Sequence, residues 1–146
     1  MAEPQSFKNH GRFDPVFHGL VSVGLLANII VTAMYFGRHF TEYGWVGIWW
    51  IAVSVLLLLL ALKTRVYALL VQDRVIRVEE KLRLAAAVSP AELVELDSLT
   101  IDQYIGLRFA SNAELPDLAR RAVREKLNRK QIKQAIVAWR ADTHRV

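Results

Sequence analysis

Apolar residues are segregated along this chain: two long apolar runs come first, and a charged, periodic half follows. From Pro15 to Gly37 there is no Asp, Glu, Lys or Arg, and from Tyr43 to Leu62 there is again none. The runs "VFHGLVSVGLLANIIVTAMYFG" and "YGWVGIWWIAVSVLLLLLAL" each have about the twenty residues that a helix needs to cross a hydrocarbon core of roughly 30 Å. Asp14 followed by Pro15 is a good helix start, an N-cap before a residue that needs no donor. Lys63 and Arg65 stop the second run, and aromatic residues such as Tyr35, Phe36, Tyr43 and Trp45 lie near the run ends, where rings suit the headgroup zone. A cleaved signal peptide is the competing reading of the first run. Its apolar stretch exceeds the usual h-region of roughly 7–15 residues, however, and "VTAM" is a poor cleavage site.

The pattern predicts an all-α protein: a transmembrane hairpin whose long second helix extends into a small cytoplasmic helical unit. The segments are residues 1–15 (cytoplasmic), 16–37 (first span), 38–43 (short extracytoplasmic loop), 44–62 (second span), 63–87 (helical extension) and 88–146 (helical domain). In the first span Gly24, Asn28 and Thr32 share a face, and polar residues in lipid usually meet another helix. Gly47, Ser54 and Ala61 offer small residues for the same kind of packing on the second.

No turn residue separates the second run from "KTRVYALLVQDRVIRVEEKLRL". One seam at alternating threes and fours continues through it, from Gly47, Trp50, Ser54, Leu57 and Ala61 to Val71, Val75, Val78 and Leu82. The last four form the kind of stripe a coiled coil uses in water, with Arg74 and Glu79 at the flanking g and e positions, where they would face each other in a parallel dimer. Asp73–Arg77 and Glu79–Arg83 are spaced to support the helix within one chain. Two to three heptads are short for a coiled coil, so the seam is filled either by a second copy or by the chain's own C-terminal helices.

Four start signals follow: "SPAE" (89–92), "TIDQ" (100–103), "SNAE" (111–114) and "NRKQ" (128–131) each set a capping residue three before Glu or Gln. They predict helices over 90–97, 101–110, 113–127 and 129–140. The inward faces are Leu93 and Leu96; Ile101, Tyr104, Ile105 and Phe109; Leu115, Leu118, Ala122 and Val123; Ile132, Ile136 and Trp139.

The formal charge of +5 sharpens the topology. Residues 63–87 carry six basic groups against Asp73, Glu79 and Glu80, whereas the link between the runs has only Arg38 against Glu42. The positive-inside bias therefore puts both termini in the cytoplasm. A second basic excess covers Arg120, Arg121, Arg124, Lys126, Arg129, Lys130 and Lys133, expected to be solvated or to contact anionic headgroups of the bilayer. Helix–turn–helix reading of nucleic acid by "NRKQIKQAI" is the less favoured use of it.

Catalytic chemistry has little foothold. With no cysteine, thiolate catalysis and cysteine-ligated metals are out. His10, His18, His39 and His144 are scattered, Glu79–Glu80 reads as a helix-surface pair, and no phosphate-cradling glycine loop is present. No cofactor, metal site or enzyme activity is expected.

The blocks "FKNHGRFDPVFH", "VQDRVIRVEEKLRL", "LRFASNAELP" and "KQIKQAIVAWRAD" resemble an uncharacterised bacterial family of small two-span membrane proteins. The resemblance implies a bacterial membrane hairpin with a cytoplasmic tail and brings no activity with it. The expectation is a multi-pass inner-membrane protein acting as a non-enzymatic adaptor or scaffold, homodimeric or bound to a larger membrane protein. An accessory subunit of a transporter or enzyme complex is the first alternative, and a membrane-tethered nucleic-acid binder using residues 116–140 is the second.

Overall fold

Asp14 starts the first apolar helix as the sequence predicts: its Oδ1 accepts the backbone N–H groups of Val16 and Phe17, both at 3.1 Å. A computed structural model describes residues 5–7, 11 and 14–142; His10 and His144 lie outside that set. The helix is wound as a π-helix over Val16–Ser22 and then as α-helix α1 over Val23–Arg38. Ser22 Oγ donates to the Phe17 carbonyl five residues back at 2.8 Å, matching the wide winding. Helix α2 spans Phe40–Ala87. Its one non-helical residue is Gly44, at φ 35 and ψ −110, a conformation that glycine reaches without a Cβ penalty. The linker predicted at 38–43 thus contains a helical turn.

The protein is all-α, with two helices long and apolar enough to cross a membrane, Val16–Arg38 and Phe40–Ala87. It divides into two units, Arg12–Leu69, and Met1–Gly11 with Leu70–Val146. In the first, the two apolar helices form a hairpin. Asn28 Nδ2 donates to Ser54 Oγ at 2.8 Å, and Gly47 lies against the Phe36 ring. At the open end, Arg65 Nη1 stands 3.7 Å from Asp14 Oδ2, and its guanidinium lies 5.5 Å from the centre of the Phe17 ring. Gly24 departs from expectation: it is exposed, with open space where a Cβ would stand. Thr32 and Ala61 are half-buried.

The second unit begins at Leu70 of α2 and continues through α3 (Pro90–Glu95), a 3₁₀ turn (Leu96–Ser98), α4 (Ile101–Leu107), α5 (Leu115–Arg124) and α6 (Arg129–Ala135). Three of the four expected capping boxes form, Ser89 with Glu92, Thr100 with Gln103 and Asn128 with Gln131. The fourth forms only by half: the Glu114 backbone N–H donates to Ser111 Oγ at 3.3 Å, but the Glu114 side chain does not return to Ser111. Glu114 is itself the N-cap residue of α5, and its carboxylate accepts the backbone N–H groups of Val137 and Ala138 at 2.9 and 3.1 Å. That contact also explains why α6 stops at Ala135 and not near 140. Ile136 turns extended, and the following segment pairs with the end of α4: Ser111 N–H donates to the Ala138 carbonyl, and Arg140 N–H to that of Phe109.

Leu84, Leu96, Leu99, Tyr104, Leu107, Phe109, Leu115, Leu118, Ala119, Ala122 and Ile132 make the core. Leu84 of α2 is fully buried, so the extension completes this core; a unit this small gains much from that added apolar area. Ile101, expected inside, is exposed. Gln103, expected only as the partner of the Thr100 cap, is also buried and donates from Nε2 to the Ala122 and Leu127 carbonyls at 3.0 and 3.1 Å, tying α4 to the end of α5.

Candidate functional site

Beyond Leu69, helix α2 has two apolar faces with different fates. In heptad lettering, Val75 and Leu82 are a and Val71 and Val78 are d. The covered residues occupy the opposite b, c and f positions: Ile76, Glu80 and Leu84 are buried and Arg83 half-buried, with Leu84 in the core. Those positions face water in a free-standing coiled coil; here the chain's own helices cover them.

Glu80 corrects the expectation of a surface Glu79–Glu80 pair, because it is only 2% exposed. Its Oε2 pairs with Arg83 Nη1 at 2.5 Å, and Oε1 stands 3.9 Å from Arg140 Nη1. Arg83 also donates to Asn112 Oδ1 at 2.7 Å and to the Ala110 carbonyl at 2.9 Å. Burial pushes the Glu80 carboxyl above its ordinary value, against the two arginines, which pull it down. Arg83 thus pairs with Glu80 and not with Glu79 as its spacing predicted. Among the described residues Asp73–Arg77 forms no ion pair either.

The a/d face is open. Val71, Val75, Val78 and Leu82 are 60%, 49%, 58% and 67% exposed. Within the described residues, Arg74 and Glu79 beside them make no ion pair inside the chain. The chain's own tail therefore does not fill this half of the predicted seam. In the apolar half of α2, by contrast, Gly47 and Ser54 are buried, against Phe36 and Asn28 of the first helix.

A family model described as a family of unknown function, DUF6526, matches residues 1–146, the whole chain. The chain belongs to DUF6526. No curated protein and no solved structure matches it.

The basic residues of this DUF6526 chain do not form one free patch. Arg120 pairs with Glu92 and Asp117 at 2.7 and 2.6 Å, Arg121 with Glu125 at 3.0 Å, Arg124 with Glu125 at 3.5 Å and Arg129 with Asp102 at 2.6 Å. Arg120 and the Ser89 backbone N–H hold Glu92 below the usual carboxylate range, with the Ser89 contact the larger. Lys133 is 8% exposed and lies over the Phe109 ring, so it does not belong to an exposed basic surface. Lys126 and Lys130 remain exposed. Lys126 closes α5 at φ 51, and the N–H groups of Lys126 and Leu127 reach back to the carbonyls of Val123 and Ala122, a Schellman closure that usually places glycine there.

The apolar half of α2 showed its packing residues in sequence through small side chains. The covered face beyond Leu69 had a weaker signal: Ile76 and Leu84 are apolar positions off the seam, and both are buried. Glu80 had none, because a buried carboxylate looks like any surface one until its partners, Arg83 and Arg140, are placed.

Proposed function

We propose that this DUF6526 protein is a membrane-anchored interaction module: a hairpin in a bacterial cytoplasmic membrane that presents helix α2 and a small helical domain to the cytoplasm. The observation that carries the reading is the open stripe from Val71 to Leu82, an apolar face just past the membrane segment that the tail leaves uncovered. Contiguous apolar surface flanked by charge marks a place where another surface docks.

Several features support the membrane placement. Almost none of the apolar side chains in the two spans are buried by the chain itself, unlike those of a soluble core helix. Arg65 and Asp14 bring together the start of the first span and the end of the second. Gln5, ahead of the first span, exchanges hydrogen bonds with the Asp142 backbone at 2.8 and 3.2 Å, which favours both ends on one side. The basic excess behind the second span favours the cytoplasmic side. Anionic headgroups are the natural neighbours of the exposed Lys126 and Lys130. The ion pairs of Arg120, Arg121 and Arg129 weigh against a nucleic-acid binder.

Capture of the tagged full-length chain from native membranes, beside a Val75→Lys, Val78→Glu variant, tests this. A stoichiometric partner, whether a second copy or a larger membrane protein, lost in the variant, is the expected result. A wild-type chain that comes out alone and monomeric overturns the reading, and a larger partner retained by the variant moves it to an accessory subunit docked elsewhere.

A further inference from the structure

We infer that the occupant of the open α2 face is a second copy of the same chain, in a parallel, two-fold symmetric pair centred on Val75 and Val78; this rests on the interaction-module reading and names its partner. On the opposite face of the helix Ile76, Glu80 and Leu84 are buried, Leu84 within the tail's own core, whereas the stripe at a and d stays exposed among the described residues. Its spacing is the one that two helices interdigitate at, with Val71, Val75, Val78 and Leu82 as the apolar side chains of the seam.

Charge complementarity selects the second copy and its direction. Arg74 at g and Glu79 at e are five residues apart, the offset at which g of one parallel helix meets e of the other. A two-fold pair makes that contact twice. In an antiparallel pair the g positions meet each other, and those are Arg74 and Lys81, which repel. Two copies inserted in the same sense in one membrane run parallel in any case, with the two-fold axis along the membrane normal.

The stripe from Val71 to Leu82 is about 17 Å long at 1.5 Å per residue, fewer than the roughly three to four heptads of a self-sufficient coiled coil. Membrane anchoring compensates, because confinement to a plane with fixed orientation raises the effective concentration of one copy for another. The pair is accordingly a property of the anchored chain, weakened by dilution with lipid.

The absence of native cysteine makes the test direct. The full-length chain carrying Val75→Cys, Val78→Cys or Arg77→Cys, the last exposed off the stripe, is reconstituted in vesicles of neutral and anionic phospholipid and oxidised. Linked dimer from positions 75 and 78, at least several-fold above position 77 and falling on dilution with lipid, is expected. A mixture of Arg74→Cys and Glu79→Cys chains should give more of the mixed dimer than either alone gives of its own. No dimer at 75 and 78, or equal yields at all three positions, overturns the second-copy proposal. Crosslinking of Val75→Cys to a different protein in native membranes, with no dimer in vesicles, overturns it too while leaving the interaction module standing.

Discussion

Asn28 Nδ2 donates to Ser54 Oγ at 2.8 Å, joining the two apolar helices at the middle of the hairpin, and Ser54 in turn donates to the Trp50 carbonyl at 2.8 Å. The two partners are unequal. Replacing Asn28 by Ala removes a polar group and leaves the Ser54 hydroxyl satisfied, so the change should be small. Ser54→Ala leaves the Asn28 amide without its acceptor on α2 and, with the hairpin in a membrane as proposed, should cost about 0.6–2 kcal/mol. Unfolding of the full chain in mixed micelles with rising dodecyl sulfate reads the difference; equal losses for both variants would show that the bond is not oriented as described.

Gly47 controls how closely the helices approach. A Cβ there would stand 2.7 Å from both Cβ and Cγ of Phe36, which requires a shift. Gly47→Ala should destabilise the hairpin by about 1–3 kcal/mol, the usual cost of overpacking. Phe36→Ala in the same chain should return part of that loss. The two changes are coupled through one contact, so a double-mutant cycle in the same micelle assay should show a non-zero interaction energy.

Lys126 is held at φ 51 where a helix closure favours glycine. Lys126→Gly should therefore raise the stability of the helical unit by about 1 kcal/mol, since a left-handed residue with a Cβ costs roughly 1–2 kcal/mol. A rise of a few degrees in the thermal midpoint of the full chain is the measurement; a fall would mean that the lysine side chain contributes more than its backbone costs.

Glu80 gives the pH dependence a sign. The folded chain keeps a proton on this buried carboxyl at pH values where the unfolded chain has lost it. Its contribution is complete below the ordinary value of 4.5 and drains away as pH rises through the higher folded value. Glu80→Gln mimics the protonated form, so its stability relative to the native chain should improve as pH climbs from 4 to 7. Glu92, Asp97 and Glu125 are shifted the other way, held low by Ser89 N–H, Lys81 and Arg121 respectively. Their contributions are present above the ordinary range and lost on acidification. Thermal scans of both chains at matched pH separate the two trends, and a Glu80→Gln deficit that grows toward neutral pH would contradict the direction assigned to Glu80.

Much of the fold could be read in advance because it rests on local chemistry. Charge-free runs, Asp14 ahead of Pro15, and the caps at Ser89, Thr100 and Asn128 each act within a few residues of themselves. Ser111 and Glu114 complete only half of their box for the converse reason: Ser111 Oγ accepts the Glu114 N–H, but the Glu114 carboxylate takes two backbone N–H groups at Val137 and Ala138, more than twenty residues away, and no local pattern announces such a partner. The same holds for Gln103, whose amide reaches α5, and for Lys133, whose charge looked solvated until Phe109 was placed beneath it.

The sequence by itself determined the two apolar helices, the unbroken helical phase through Lys63 and the a/d spacing of Val71, Val75, Val78 and Leu82, because periodicity and hydropathy are written residue by residue. Only the tertiary structure decided which of the two apolar faces of α2 the chain keeps for itself. Burial depends on what arrives from far along the chain: here Leu84 joins the core built by α4, α5 and α6 and Arg140 reaches Glu80, while the valine stripe stays uncovered.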